Sequence, residues 1–258
     1  MSLPTPLFGP AEWTMVAAIS AQATAVAYLH QPRVKAAVCS LPIPFTTASL
    51  SLGQPVTVHN VLALTLLYLF AVTVRWLHTR WRVPITLAIV LSAGEYIALG
   101  AALRQAVPDS GPLFWMTAIA TVTVGFWLLA RMPHRPETGY RSPLPIYLKV
   151  PILGGVVALM VLLKGLLGGF MTLFPIISSV GSYEARHSLW TLVRQFPVTM
   201  ITITPLLVTC RLLQGHLSLG PTLAVGWLAF AAAFIPLTRA DWAAACVAEA
   251  CQADAAAC

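Results

Sequence analysis

The sequence predicts an all-α fold, a polytopic bundle of transmembrane helices. Three observations carry that expectation. Of 258 residues, 58% are hydrophobic and only 9% are charged, the mean hydropathy is +0.81, and the apolar runs are continuous rather than alternating. A soluble domain devotes about one quarter of its residues to charge so that its surface is solvated. This chain cannot cover itself in that way, so lipid is the solvent it suits. The same figures exclude a disordered chain, and five cysteines are too few for a disulfide-built scaffold of this length. Continuous apolar runs mark helices in lipid, whereas barrel strands alternate.

Each crossing of a hydrocarbon core about 30 Å thick takes about 20 helical residues. The first run, 13–29, opens with Trp13 at an expected interface. The segment before it has no basic stretch and no small-residue cleavage site, so no removable signal peptide is expected. Runs 36–52, 56–74, 84–103 and 113–130 follow, then a charged loop, then 146–163, 166–181, 189–210 and 217–237. That arrangement gives nine spans. Eight is the alternative, because only Lys164 and Gly165 separate 146–163 from 166–181, and the second of these can be re-entrant. The stretch 36–52 carries the same ambiguity.

Lysine and arginine give the orientation, since cytoplasmic loops retain positive charge. The odd loops hold Arg33 and Lys35, then Arg75, Arg80 and Arg82, then Arg131, Arg135, Arg141 and Lys149, then Arg186. The even loops hold Arg104, Lys164 and Arg211. The N-terminus is therefore expected outside and the basic loops in the cytoplasm, in a cell inner (cytoplasmic) membrane. A net charge of +7 is accounted for by topology and anionic lipid. No basic extramembrane domain is left to bind nucleic acid.

Residues 40–53, Ser-Leu-Pro-Ile-Pro-Phe-Thr-Thr-Ala-Ser-Leu-Ser-Leu-Gly, are echoed by residues 172–183, Thr-Leu-Phe-Pro-Ile-Ile-Ser-Ser-Val-Gly-Ser-Tyr. His59 and His187 each stand six residues after the glycine of their segment, Gly53 and Gly181. A long apolar helix follows in both cases. Duplicated bundles of this kind build many transporters. The predicted division is a first four-helix repeat at 1–106, a linking helix and basic loop at 107–145, a second repeat at 146–238, and an alanine- and cysteine-rich tail at 239–258. One linking helix inverts the second repeat relative to the first.

In the second half, the run from Tyr147 through Lys164, then Leu173-Phe174-Pro175, Tyr183-Glu184-Ala185-Arg186 and on to Leu237, resembles the GlpM-like small integral membrane proteins. The first half follows the same plan with Leu-Pro-Ile-Pro-Phe but lacks the Tyr and Glu-Arg turn. The resemblance implies a four-helix unit and a link to alginate production, and so to envelope or exopolysaccharide assembly.

Proline inside a helix frees a backbone carbonyl. Pro42, Pro44 and Pro175 are therefore expected to break two related helices, and the hydroxyls of Thr46, Thr47, Ser49, Ser178 and Ser179 would make a polar patch there. Two readings stay open: a midplane solute site, or hydroxyls bonded to their own preceding turns. Glu95 falls mid-span, where a carboxylate must be neutral, paired or facing water. It is the sharpest candidate for a proton carrier or cation ligand. Arg194, beside Gln195, can either snorkel to headgroups or partner an acidic group or anionic solute. Glu184, Arg186 and His187 form a polar turn open to local capping or to substrate contact.

His59 and His187 are weak metal candidates, with no carboxylate or cysteine at ligand spacing. No metal, cofactor or catalytic motif is recognised, which points away from an enzyme. Cys39 and Cys210 are expected to pack inside spans, while Cys246, Cys251 and Cys258 lie in a low-complexity tail. Two classes remain. One is a secondary transporter, exporter or lipid-linked flippase handling a small molecule, ion or lipid-linked substrate. The other is a non-transporting accessory protein of cell-envelope or exopolysaccharide biosynthesis.

Overall fold

The structure, a computed structural model, describes residues 10–137, 139 and 168–257. All regular elements among the described residues are helical. They are α1 (Pro10–Tyr28), α2 (Pro32–Cys39), α3 (Ile43–Leu52), α4 (Val58–Arg80), α5 (Ile85–Ala106), α6 (Gly111–Arg131), a 3-10 turn (Gly168–Leu173), α7 (Ile176–Glu184), α8 (Leu189–Leu213) and α9 (Leu219–Ala257). The predicted span 146–163, with Lys149 and Lys164, lies outside the described residues, as does Arg141.

Five helices, α4, α5, α6, α8 and α9, are long and apolar enough to cross a bilayer. The chain is thus a multi-pass membrane protein. Its outer faces say the same, since Val90, Met116, Ile119 and Leu228 are each at least 65% exposed. An apolar surface of that extent is unstable in water and ordinary against lipid. The more enclosed helices are α4 and α8, which pack against each other at the centre, while α5, α6 and α9 present most of their length outward.

The helix limits follow local chemistry. Thr57 caps α4 through a reciprocal box with Asn60, satisfying donors that the first turn leaves orphaned. Gly53 ends α3 at φ +59°, a left-handed conformation that costs glycine nothing. Pro197 and Pro205 sit within α8 without ending it. The chain from 36 to 52 is not one helix. Ser40, Leu41 and Pro42 separate α2 from α3, because Pro42 and Pro44 cannot donate to the preceding turn and instead start a new helix. Phe174 and Pro175 likewise separate the 3-10 turn from α7.

Contacts between helix ends divide the bundle into two ends. At one end lie the starts of α4, α6 and α9 and the finish of α5 and α8. There Gln214 Oε1 accepts from Val56 N at 2.9 Å and Arg211 donates to Val56 O at 2.6 Å. Asp109 accepts from Val58 N and faces Arg211 at 3.4 Å. At the other end lie Arg33, Lys35, Arg75, Arg80, Arg82, Arg131, Arg135, Arg186, Arg194 and Arg239, whereas Arg104 and Arg211 are at the first. We call these the polar end and the basic end. The antiparallel pair α4 and α8 therefore starts from opposite ends.

The low-complexity tail is ordered as helix. It continues α9 as helix through Ala257, because alanine has the highest helix propensity and the tail is built largely from it. It emerges at the basic end, where Asp241 meets Arg194 and Cys246 Sγ lies 3.7 Å from Arg33. Cys246 is exposed, Cys210 is buried and Cys39 is half-buried.

Candidate functional site

The two proline breaks are drawn together by the packing of the short helices. α1 packs on α2, α3 and α7, α2 packs on α7 and α8, and the 3-10 turn packs on α3 and α4. Gly181 of α7 brings its backbone so close to Cys39 that a Cβ there would stand 2.8 Å from the sulfur. Gly169 approaches Thr57, His59 and Asn60 in the same way. Each broken segment thus lies against a long helix of the other half of the chain.

Polar side chains reach the backbone at both breaks. Gln22 in α1 donates from Nε2 to Val38 O at 2.8 Å and to Leu41 O at 3.3 Å, answering carbonyls around the first break. Thr199 in α8 donates to Ser40 Oγ at 2.9 Å. On the other side Asn60 in α4 donates to Gly169 O at 3.1 Å and to Thr172 Oγ1 at 2.8 Å. Tyr96 donates to Phe170 O at 2.9 Å. Lys35, 1% exposed, donates to Glu184 O at 3.0 Å and ties α2 to the end of α7.

Several buried side-chain atoms in this region find no hydrogen-bond partner among the described residues. They are Gln22 Oε1, Ser92 Oγ, Glu95 Oε2, Ser182 Oγ and Gln195 Nε2. A buried polar atom left unpaired costs about 1–3 kcal/mol. Here they come from α1, α5, α7 and α8, which pack on the broken segments or on one another. Gln195 and Ser40 line one small cavity with Cys39 and Thr199. That cavity has room for about one water, and such buried atoms are ordinarily satisfied in native proteins.

The predicted residues fare unevenly. Pro42 and Pro175 are buried and head α3 and α7 with closely similar backbone angles, φ −77° ψ 32° and φ −74° ψ 44°. Pro44 lies in the first turn of α3. Thr46 donates to Pro42 O at 2.8 Å and accepts from Trp227 Nε1 at 2.9 Å. Thr47 donates to Ile43 O, and Ser179 to Pro175 O at 2.6 Å. These three hydroxyls thus bond their own preceding turns, as the simpler of the two expectations had it. Ser178 and Ser49 are buried. Glu95 stands on α5, one turn from Ser92 and next to Tyr96.

Arg194 does not snorkel. It donates to Asp241 at 2.5 Å and to Met132 O at 2.9 Å, joining α8 to α9. Glu184 is buried, while Arg186 stacks on the Tyr183 ring at 5.2 Å. His59 and His187 lie at opposite ends of the bundle. His59 Nε2 stands 3.0 Å from Val107 O, and its ring leans on Phe170. The two histidines cannot share an ion, and among the described residues no three metal-ligating side chains converge.

Lys35 corrects an expectation, since it is not a loop charge but a buried residue one turn into α2. Gln22, Asn60, Tyr96 and Thr199 were not singled out by the sequence. A signal existed for Gln22, the one amide in an otherwise apolar run 13–29, and for Asn60, three residues after a threonine at a helix start. The chain matches no known protein family, no curated protein and no solved structure.

Proposed function

We propose that the protein is a secondary transporter or exporter, or a flippase for a lipid-linked substrate, built on two inverted repeats around a midplane site. The observation that carries this reading is the pair of proline-headed half-helices, α3 and α7. Each begins at a break braced by a long helix of the other half, with polar atoms around them that find no partner among the described residues. Irregular backbone is tolerated at membrane depth only where protein or water satisfies it. Half-helices meeting at a repeat interface are the usual build of solute sites in such proteins. The antiparallel pairing of α4 with α8 supports the inversion, and the exit of α9 at the basic end supports nine spans. Glu95, with its Oε2 buried, is the acidic group assigned to a proton or cation in this reading.

The membrane is the cell inner membrane, with the basic end cytoplasmic and the start of α1 outside. The charge distribution supports that orientation. The resemblance of residues 147–237 to GlpM-like proteins favours a place in envelope or exopolysaccharide assembly.

A second reading, a non-transporting accessory protein, draws support from Thr46, Thr47 and Ser179, whose hydroxyls are already satisfied within their helices. Thiol accessibility separates the two. Cysteine is placed singly at Ser40 or Ser178 in a chain otherwise free of cysteine and challenged with a charged methanethiosulfonate from either face. A site exposed alternately to both sides reacts from both faces at these buried positions. A sealed accessory bundle reacts from neither, and that result would remove the transport reading. Leu228→Cys, facing lipid, is the unreactive control.

A further inference from the structure

At the polar end a cavity of about 190 Å3 lies between the finish of α3, the finish of α8 and the first turns of α9. It shares no lining residue with the small cavity at the first proline break. Two turns frame its mouth. Gly53 ends α3 at φ +59° and Gly215 follows α8 at φ +92°, and a Cβ at either would meet nothing within 4 Å among the described residues. Both glycines are exposed, as is Gln54, whereas Val56, Cys210, Thr222 and Leu223 are buried.

Most polar atoms along the buried lining are already engaged. Val56 N donates to Gln214 Oε1 at 2.9 Å, Val56 O accepts from Arg211 at 2.6 Å, and Cys210 Sγ lies 3.8 Å from Thr222 O. Arg211 also faces Asp109 at 3.4 Å, and among the described residues no charged side chain lines the cavity. Thr222 differs. It is 2% exposed, and its Oγ1 is buried with no hydrogen-bond partner among the described residues. Ser49, also buried, lines the same space.

Native interiors hold few voids larger than a water molecule. Water alone suits the buried end poorly, because each buried water takes about three polar partners and Val56, Cys210 and Leu223 offer none that is not already used. A cavity of about 150 Å3 is enough to hold benzene, so this one has room for a ring of that size with a small substituent. We propose that it binds a compact neutral molecule with one hydroxyl on an apolar body, of the alcohol or phenol class. The hydroxyl pairs with Thr222, and the body lies against Val56 and Leu223. An ion would be buried there without a counter-charge. The volume is too small for a lipid chain, and the mouth opens among turns at helix ends, so the ligand enters as a free small molecule. The assignment stands apart from the transport reading.

The test places Ser49→Cys in a full chain otherwise free of cysteine, held in neutral detergent and treated with methyl methanethiosulfonate, which is small and uncharged. Phenol and toluene, alike in shape and different in the hydroxyl, are the probes. Both are expected to slow modification saturably. Thr222→Val keeps the bulk and removes the hydroxyl, so it is expected to raise the half-protecting concentration of phenol about three- to tenfold and to leave that of toluene unchanged. Thr222→Ala, of smaller bulk, is expected to lose phenol selectively in the same way, and Thr222→Ser to retain it. A Ser49→Cys thiol that does not react, or one that phenol does not protect, overturns the proposal. So does protection by phenol that neither Thr222→Val nor Thr222→Ala weakens. Equal slowing at the lipid-facing Leu228→Cys marks simple partitioning into the micelle and overturns it as well.

Discussion

Gly181 packs its backbone against Cys39 where the two broken segments meet, and the pair yields a prediction about how two substitutions couple. In Gly181→Ala the new methyl would stand 2.8 Å from Cys39 Sγ, while the Leu192 methyl carbons at 3.6 and 3.8 Å are ordinary neighbours. Favourable contact lies near 3.5–4.0 Å, so the Cys39 sulfur or the two helices must yield by roughly 0.7 Å or more. Overpacking of that kind costs about 1–3 kcal/mol. Replacing glycine by alanine inside a helix returns about 1 kcal/mol, so the net loss is about 0–2 kcal/mol. Cys39→Ala alone leaves a small void and costs about 1 kcal/mol. In the double variant the methyl enters the space the sulfur left, and the two changes couple favourably by about 1–2 kcal/mol. Equilibrium unfolding in sodium dodecyl sulfate, followed by tryptophan fluorescence on all four proteins, measures the cycle. Losses that simply add, within about 0.5 kcal/mol, would refute the crossing of α2 and α7.

Two further outcomes follow from the packing. Gly125→Ala should cost about 0–2 kcal/mol net, overpacking of about 1–3 kcal/mol less the helix gain of about 1 kcal/mol, because its Cβ would meet Ile201 at 2.9 Å and the Pro197 carbonyl at 3.2 Å. Gly94→Ala, whose Cβ would meet nothing within 4 Å among the described residues, should be neutral or gain up to about 1 kcal/mol, and the same unfolding assay ranks the pair. Lys35→Met keeps the length of the side chain but removes the ammonium that donates to Glu184 O at 3.0 Å. A loss of about 1.5–3 kcal/mol is expected for a hydrogen bond to a buried charge, and an unchanged unfolding midpoint would show that Lys35 does not hold α2 to α7.

Much of the architecture is legible in the sequence because lipid imposes simple demands. Continuous apolar runs locate α4, α5, α6, α8 and the membrane part of α9, and prolines locate the breaks at Pro42 and Pro175. The distribution of arginines separates the two ends of the bundle. What the sequence hides is which long-range partner each polar residue finds. Thr46, Thr47 and Ser179 fit either solute contacts or local bonding in a linear reading, and a carbonyl one turn away takes each of them. Lys35 looks like a loop charge because it follows Arg33, yet the start of α2 at Pro32 carries it inside. Gln22 and Thr199 matter only because α1 and α8 pass the break at Ser40, and nothing local announces that meeting. Arg194 is paired with Asp241 across 47 positions of sequence, beyond the reach of any helical spacing. The alanine-rich tail looks structureless by complexity but is helical by propensity.

The inversion of the two halves is the central claim, and sidedness tests it most directly. Gln54, just before α4, and His187, just before α8, are both exposed and follow the related segments 40–53 and 172–183. Each is replaced singly by cysteine in a chain otherwise free of cysteine and labelled with a membrane-impermeant maleimide in right-side-out and inverted vesicles. The account predicts opposite faces, with Gln54→Cys labelled from outside and His187→Cys from the cytoplasm. Labelling of both from the same face would contradict it.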